Sequence, residues 1–241
     1  MKTPAIKAIV FMKAHSARVP RKNLRPFCGR PLCDWILNAL ELSRYVEQIL
    51  VNTDSDEIAQ QASTFQKVKI HVRPLYLRGD HVGASPLIEY DLQMSEGEYY
   101  MQTHSTNPLL RSATVDRAIE AFFGQNKHDA LFSVTEIRKR FYWPDGRPIN
   151  HDPKILLRTQ DLHPVLEENS CLYIFSRRAF CSTKLRIGSN PLMFPISSVE
   201  AVDIDEEQDF EMAEALMKSL LKGRKNGDCS SGPANWGGAS V

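Results

Sequence analysis

No apolar run in the sequence approaches the roughly 20 residues needed to cross a bilayer. The 241 residues carry a net charge of only +1. A helical membrane span is therefore not expected. A global field that would draw the chain to nucleic acid or anionic lipid is not expected either. Cysteine is sparse: Cys28, Cys33, Cys171, Cys181 and Cys229 are odd in number and dispersed. No CxxC pair or His/Cys ligand spacing joins them, so we expect reduced thiols, a cytoplasmic protein and no structural zinc. The opening Met1-Lys-Thr-Pro4 lacks a signal peptide's layout. Neither GxGxxG nor a Walker A sequence is present, which removes the dinucleotide and P-loop readings. There is no internal repeat.

What is present is ordinary for a globular chain, with 42% hydrophobic and 24% charged residues. Apolar, β-branched runs at 6–12, 48–53, 68–72, 99–103, 130–135 and 172–175 read as strands. Helical spacing appears between them. Leu32, Ile36, Ala39 and Leu40 share a face behind Pro31 at a first helical position. A helix is expected near Asp56, another over 85–94, and one capped by Ser112 that carries Val115, Ile119 and Phe122. Strands alternating with helices of this length predict an α/β fold, a mostly parallel sheet with helices on both faces. The alternation breaks over about 138–170, where the basic, aromatic stretch 137–147 holds Tyr142 and Trp143. We read that region as an insertion forming a lid or a dimer contact rather than a nucleic-acid patch. The predicted organisation is one domain over 1–222, closed by a helix bearing Phe210, Ala213, Leu216, Met217 and Leu220. A disordered tail is expected over 223–241.

The densest chemistry lies between the first strand and the first helix. Lys13, Arg18, Arg21 and Lys22 crowd into ten residues with Ser16 and Asn23. A cationic loop at the carboxyl edge of a parallel sheet suits a polyphosphate; a solvated basic turn fits the composition equally well. Late in the chain, Val202-Asp-Ile-Asp205 alternates two carboxylates, which on a strand end share a face. Two such hard oxygen donors could hold Mg²⁺ through waters and bridge it to phosphates. Asp205-Glu-Glu-Gln208 also has capping-box spacing, which would make Asp205 a helix cap. The polar turns Thr53-Asp-Ser-Asp56 and Thr106-Asn-Pro108 follow strands and fall at the same edge, as caps or as site residues.

The motifs PRKNLRPFCGRPL, NTDSDEIA, STNPLLR, LFSVTEI, ENSCLYIF and VDIDEEQDF, in that order to about residue 220, resemble the acylneuraminate cytidylyltransferase (CMP-sialic acid synthetase) family. The resemblance implies a Rossmann-like fold of sugar-nucleotidyltransferase type with a small inserted dimerisation region. It implies a homodimer that uses CTP and Mg²⁺ to activate an acidic nine-carbon sugar with release of pyrophosphate. By position it implies nucleotide contacts from Lys13, Ser16, Lys22, Asn23, Arg73 and Ser85. Gln102 or His104 would face the sugar, Asn169 would lie near it, and Arg158 or a neighbour would meet the sugar carboxylate. Asp203 and Asp205 match the metal-binding aspartates; Lys13, Arg18, Lys22 and Asp203 would form the catalytic set.

Some positions depart from the family pattern. MKAHSA stands where the family has ARGGSK, and Ser16-Ala-Arg-Val-Pro20 instead resembles the SxRLP of CMP-Kdo synthetases, with Arg18 replacing the displaced cation. Ser170 replaces the glycine of ENG. A CMP-Kdo-type or other NTP:sugar nucleotidyltransferase is thus one rival reading, and a non-catalytic nucleotide-binding relative is another.

Overall fold

The computed structural model describes residues 3–125 and 127–225. Its centre is a seven-stranded sheet in the order β5-β4-β1-β6-β8-β7-β9. The strands are β1 (Ile6–Met12), β4 (Val46–Thr53), β5 (Val68–Val72), β6 (Tyr99–His104), β7 (Ala130–Ile137), β8 (Val165–Ser176) and β9 (Pro191–Pro195). Only β8 runs against the others, pairing antiparallel with β6 and with β7. The β-branched and apolar run of β1 explains its central place. Ile6, Ala8, Val10 and Met12 bury toward one face and Ile9 toward the other, so both faces need a helical cover.

That cover is α1 (Leu32–Glu41), α2 (Asp56–Ala62) and α4 (Ser112–Gly124) on the Val10 face. On the Ile9 face lie α3 (Ala84–Gln93) and α5 (Arg177–Thr183). The closing helix α6 (Glu207–Lys225) packs Phe210, Ala213 and Met217 against Phe27, Leu32 and Trp35. Phe27 belongs to a two-residue hairpin of β2 (Pro26–Phe27) and β3 (Arg30–Pro31) and meets Phe210 edge-on at 5.4 Å. Each fully buried side chain of this size contributes roughly 1.5–3 kcal/mol.

The α/β class, the mostly parallel sheet and the two-sided helical cover agree with the sequence reading; several details do not. Pro31 is the N-cap of α1 rather than its first residue, and Leu32 joins the α6 cluster, apart from Ile36 and Leu40. Arg111 is the N-cap of α4 and Ser112 is already helical. β8 starts at Val165, so the excursion from the sheet is 138–164, shorter than expected. Periodicity hid the first half of β8 because its pairing with β7 is interrupted by a bulge between Phe132 and Val134. β9 and α5 gave no sequence signal; prolines at both ends of β9 suit its place at the sheet edge. The last helix continues through 223–225, and the remainder of the expected tail lies outside the described residues. No described helix is long and apolar enough to cross a membrane. Cys28, Cys33, Cys171 and Cys181 are free thiols, and Cys229 lies outside the described residues.

One glycine is dictated by the turn leading into β9. Gly188 has φ +61°, and a Cβ there would stand 2.6 Å from Asp129 Oδ1. That carboxylate cannot retreat, since it accepts from the backbone N–H groups of Ser189 and Asn190 at 2.8 Å. Gly188→Ala should therefore cost about 1–3 kcal/mol, seen as a lower urea midpoint at unchanged slope.

Candidate active site

Because β1, β4 and β6 are adjacent and parallel, the loops leaving their carboxyl ends meet at one edge of the sheet. There they enclose a cavity of ≈ 550 Å³ with Lys13, Ser16, Arg18, Lys22, Asn23, Asp80, His104, Ser170, Arg186, Asp203 and Asp205 in its walls. Three hydrogen bonds brace the cationic loop, one within it and two from neighbouring loops. Asp54, after β4, accepts from the Ala14 N–H at 2.7 Å. Asn23 donates to the Lys13 carbonyl at 3.0 Å and accepts from Ser105, after β6, at 2.6 Å. Asn23 thus lines the cavity with its amide occupied in joining two loops.

The aspartates arrive from the far end of the chain. Residues 202–205 belong to no strand, contrary to the expectation of a strand end. The backbone is instead pinned to the turn after β6: the Ile204 N–H donates to the Thr106 carbonyl at 3.0 Å, and Asn107 donates to the Val202 carbonyl at 3.2 Å. Ile204 is fully buried in the α6 cluster, and the carboxylates on either side of it open into the cavity. The capping box also differs from expectation. Asp209 accepts from the backbone N–H groups of Asp205 and Glu206, so Asp205 is not the cap and its carboxylate is released to meet Arg18 at 2.7 Å. Lys22 Nζ donates to the Ile204 carbonyl at 2.6 Å, and Lys13 Nζ lies 2.5 Å from Asp80.

The charges perturb one another as this crowding requires. Asp203 is solvent-exposed in the cavity wall, yet desolvation by the surrounding protein raises its carboxyl above the usual carboxylate range; Thr106 opposes this by donating to it, and Asp205 adds to the rise. Burial lowers the Lys22 ammonium, while Asp205 and Asp203 hold it up. Burial, then Arg186 and Lys22, bring His104 down to about 4, so the imidazole is neutral at pH 7. Its tautomer follows from a chain of donors. Arg186 can only donate, so Gln102 Oε1 faces it at 2.7 Å and Gln102 Nε2 faces His104 Nε2 at 3.0 Å. His104 Nε2 then accepts, and its proton sits on Nδ1.

Of the residues singled out in sequence, Lys13, Ser16, Arg18, Lys22, Asn23, His104, Asp203 and Asp205 are brought together. Five others are not in the walls. Arg73 is buried with its guanidinium bound to the Asn52 side chain and carbonyl. Ser85 donates to the Lys184 carbonyl, and Arg158 is 75% exposed and paired to Asp161. Gln102 stands one layer behind His104 and Arg186. Asn169 staples the bulge between β7 and β8: its Oδ1 accepts from Ser133 and the Cys171 N–H, and its Nδ2 donates to Thr135. The staple projects Ser170 into the cavity at φ 58°, a conformation glycine adopts freely. Asp80 and Arg186 were missed. Asp80 follows Gly79 in a loop, and Arg186 follows a short helix; neither belongs to a motif.

Two carboxylates are the donor type that Mg²⁺ takes, and they fit such an ion in kind. No group of three His, Cys, Asp or Glu suited to a metal occurs among the described residues.

A parallel sheet whose carboxyl edge sets a cationic loop against an aspartate pair defines an α/β protein of nucleotidyltransferase type. The fold matches a solved CMP:2-keto-3-deoxy-manno-octonic acid synthetase complexed with CTP, with TM-score 0.63 over 90% of this chain and 100% of that one, at 16% identity. A family profile described as Cytidylyltransferase matches residues 7–225, and the chain belongs to that family. It is 28% identical over 222 residues to N-acylneuraminate cytidylyltransferase A of Danio rerio, covering 88% of this chain and 51% of the relative. It is 26% identical over 222 residues to a pseudaminic acid cytidylyltransferase of Campylobacter jejuni, covering 87% and 95%. The chain thus spans about half of the fish relative and nearly all of the bacterial one.

The neutral imidazole makes a testable contribution to stability. His104 is depressed from about 6.5 to about 4 on folding. Its stabilising share is complete above pH 6.5 and lost as pH falls toward 4. Between pH 7 and pH 5 the wild type should lose about 1–2 kcal/mol more than His104→Gln, measured by urea denaturation at both pH values.

Proposed function

We infer that the chain transfers CMP from CTP to an acidic 2-keto sugar of the N-acylneuraminate-like nonulosonate class and releases pyrophosphate. The carrying observation is the meeting of the early cationic loop with the late aspartates, Arg18 on Asp205 and Lys22 on the Ile204 carbonyl. In this reading the anomeric hydroxyl attacks the α-phosphorus of CTP. The new O–P bond forms as the bond to the β-phosphate breaks and the hydroxyl proton leaves. The protein supplies position and charge. Lys13, Arg18 and Lys22 hold phosphate oxygens, exchanging their present carboxylate and carbonyl partners for the nucleotide. Asn23 keeps the loop rigid, and the neutral His104 presents a hydrogen bond without adding charge.

The cavity's cations Lys13, Arg18, Lys22 and Arg186 outnumber Asp80, Asp203 and Asp205 by a single charge, too few to offset a triphosphate. The reading therefore includes Mg²⁺ held by Asp203 and Asp205, which would screen phosphate charge and orient the nucleotide. A cytoplasmic location is part of the same reading. Names of relatives support the nonulosonate class: the fish relative is an N-acylneuraminate enzyme and the bacterial one a pseudaminic acid enzyme.

A homodimer is part of the same reading. The 138–164 excursion and the start of β8 expose large apolar side chains without cover: Trp143, Ile149, Ile155, Leu157 and Leu166, with Leu156 at 88%. A second copy placed there would bury them. Leu156→Asp should then convert a dimer to a monomer in sedimentation; an unchanged mass would count against this face.

Purified protein supplied with each nucleoside triphosphate and a panel of nonulosonic and octulosonic acids, read by pyrophosphate release, tests the reaction. CTP with a nonulosonate should be preferred. Turnover only with an octulosonate would favour the Kdo-type rival, and CTP binding without turnover the non-catalytic one. Asp203→Ala should lower kcat by 100-fold or more, on the order of losing one charge-stabilising group, with an unchanged circular-dichroism spectrum. Wild-type turnover in that variant would remove Asp203 from the reaction.

A further inference from the structure

The loop between α5 and β9 delivers one cation that no sequence motif marks, Arg186. Its position is fixed on three sides. The guanidinium lies over the Tyr173 ring at 3.6 Å, Nη1 donates to Gln102 Oε1 at 2.7 Å, and Nη2 donates to the Tyr173 hydroxyl at 2.8 Å. Behind it, the Gly188 turn and the Asp129 carboxylate hold the loop. These two bonds use two of the five N–H groups a guanidinium carries. The side chain keeps 23% of its surface open and lies in the wall of the cavity.

Arg186 is also the least compensated of the cavity's cations. Lys13 touches Asp80 at 2.5 Å and Arg18 touches Asp205 at 2.7 Å, while Lys22 lies in the field of Asp203 and Asp205. The carboxylate nearest Arg186 is Glu168, 3.9 Å away, and it already accepts from Tyr173 at 2.5 Å. Arg186 is anchored to Gln102 and Tyr173, which pair with each other across β6 and β8; Gln102 in turn pairs with Ile9 of β1. Tyr173 thus stands two strand spacings, about 10 Å, from the strand that feeds the cationic loop. The other polar groups on this wall, the neutral His104 and the Ser170 hydroxyl, suit sugar hydroxyls.

The geometry points to Arg186 as the residue that binds the carboxylate of the acceptor sugar and sets selectivity for an acid. This assignment rests on the reading of the site as a sugar-acid cytidylyltransferase and replaces Arg158, whose guanidinium is exposed and paired with Asp161 outside the cavity. A guanidinium held in advance by stacking and two hydrogen bonds loses little freedom when it grips a planar carboxylate with its remaining donors.

The test compares N-acetylneuraminate and pseudaminate with their methyl esters, with saturating CTP, in wild type, Arg186→Gln and Arg186→Lys. Wild type should prefer the acid over the ester by about 100-fold in kcat/KM, the size of a charge-assisted bidentate contact. Arg186→Gln should reduce that preference to a few-fold, with KM for CTP within two-fold of wild type and a wild-type circular-dichroism spectrum. Arg186→Lys should restore only part of it. Acid preference retained in Arg186→Gln overturns the assignment and leaves the reaction standing. If wild type turns over neither acid, the functional reading fails separately, and calorimetric titration of both acids into the CTP-loaded protein decides for Arg186. Binding lost in Arg186→Gln supports the assignment, and equal binding or none to wild type overturns it.

Discussion

The site depends on one contact between distant parts of the chain, the closure of residues 18–22 onto 204–205. Arg18 meets Asp205 and Lys22 meets the Ile204 carbonyl across sequence separations of 187 and 182 residues. Charge attraction alone would not place them. What fixes the register is the burial of Ile204 among Phe27, Trp35, Leu109 and Phe210, with its N–H on the Thr106 carbonyl. An apolar side chain held between two aspartates forces both carboxylates outward into the cavity. Desolvation by the surrounding protein raises the Asp203 carboxyl, the neighbouring Asp205 adds a smaller share, and both carboxylates hold up the half-buried Lys22 ammonium that burial lowers.

Rigidity behind the site contrasts with looseness within it. Leading into the aspartates, the 3%-exposed Glu200 carboxylate is gripped by the Arg111 guanidinium and backbone N–H at the start of α4. Removing one member of such a pair strands a buried charge, so this anchor resists displacement. The pairs facing the cavity are different: Lys13 and Asp80 are 44% and 67% exposed, and Arg18 and Asp205 are 57% and 51%. Exposed pairs of this kind contribute little to stability, because water and salt screen them. Lys13 and Arg18 are therefore paired within the cavity at little energetic cost, and an incoming polyanion can exchange partners with them while the frame stays in place.

Much of the frame was legible because it is local. β1, β4, β6 and the amphipathic helices follow from residue spacing, and the cationic loop stands out as four cations in ten residues. What was not legible depends on paths between elements. Arg73 and Arg158 look the same as Arg18 in one dimension, yet one is bound to Asn52 in the interior and the other to Asp161 on the surface. Arg186 enters the cavity only because a seven-residue helix, α5, a left-handed turn and an edge strand return it there. The cap was misplaced by one residue because Asp209, rather than Gln208, reaches back to the backbone N–H groups of Asp205 and Glu206, a contact the spacing pattern does not mark. Coordinates alone separate the two, and the difference decides whether the Asp205 carboxylate is a cap or a cavity wall.

Ser170 shows how strain can sit at such a site without spoiling the fold. A side chain in the left-handed region costs roughly 1–2 kcal/mol relative to the ordinary helical one. The bulge nevertheless holds Ser170 at φ 58°, because the chain on either side is overdetermined. Asn169 joins Ser133, Thr135 and Cys171, and Ser133 also accepts from the Leu172 N–H at 3.0 Å. Glycine would remove the strain and the hydroxyl together. The hydroxyl lies 3.1 Å from the Tyr173 hydroxyl, the same group that receives Arg186. The serine that breaks the expected motif is therefore part of the polar wall around Arg186, and its strain is confined to one residue held between two firmly paired strands.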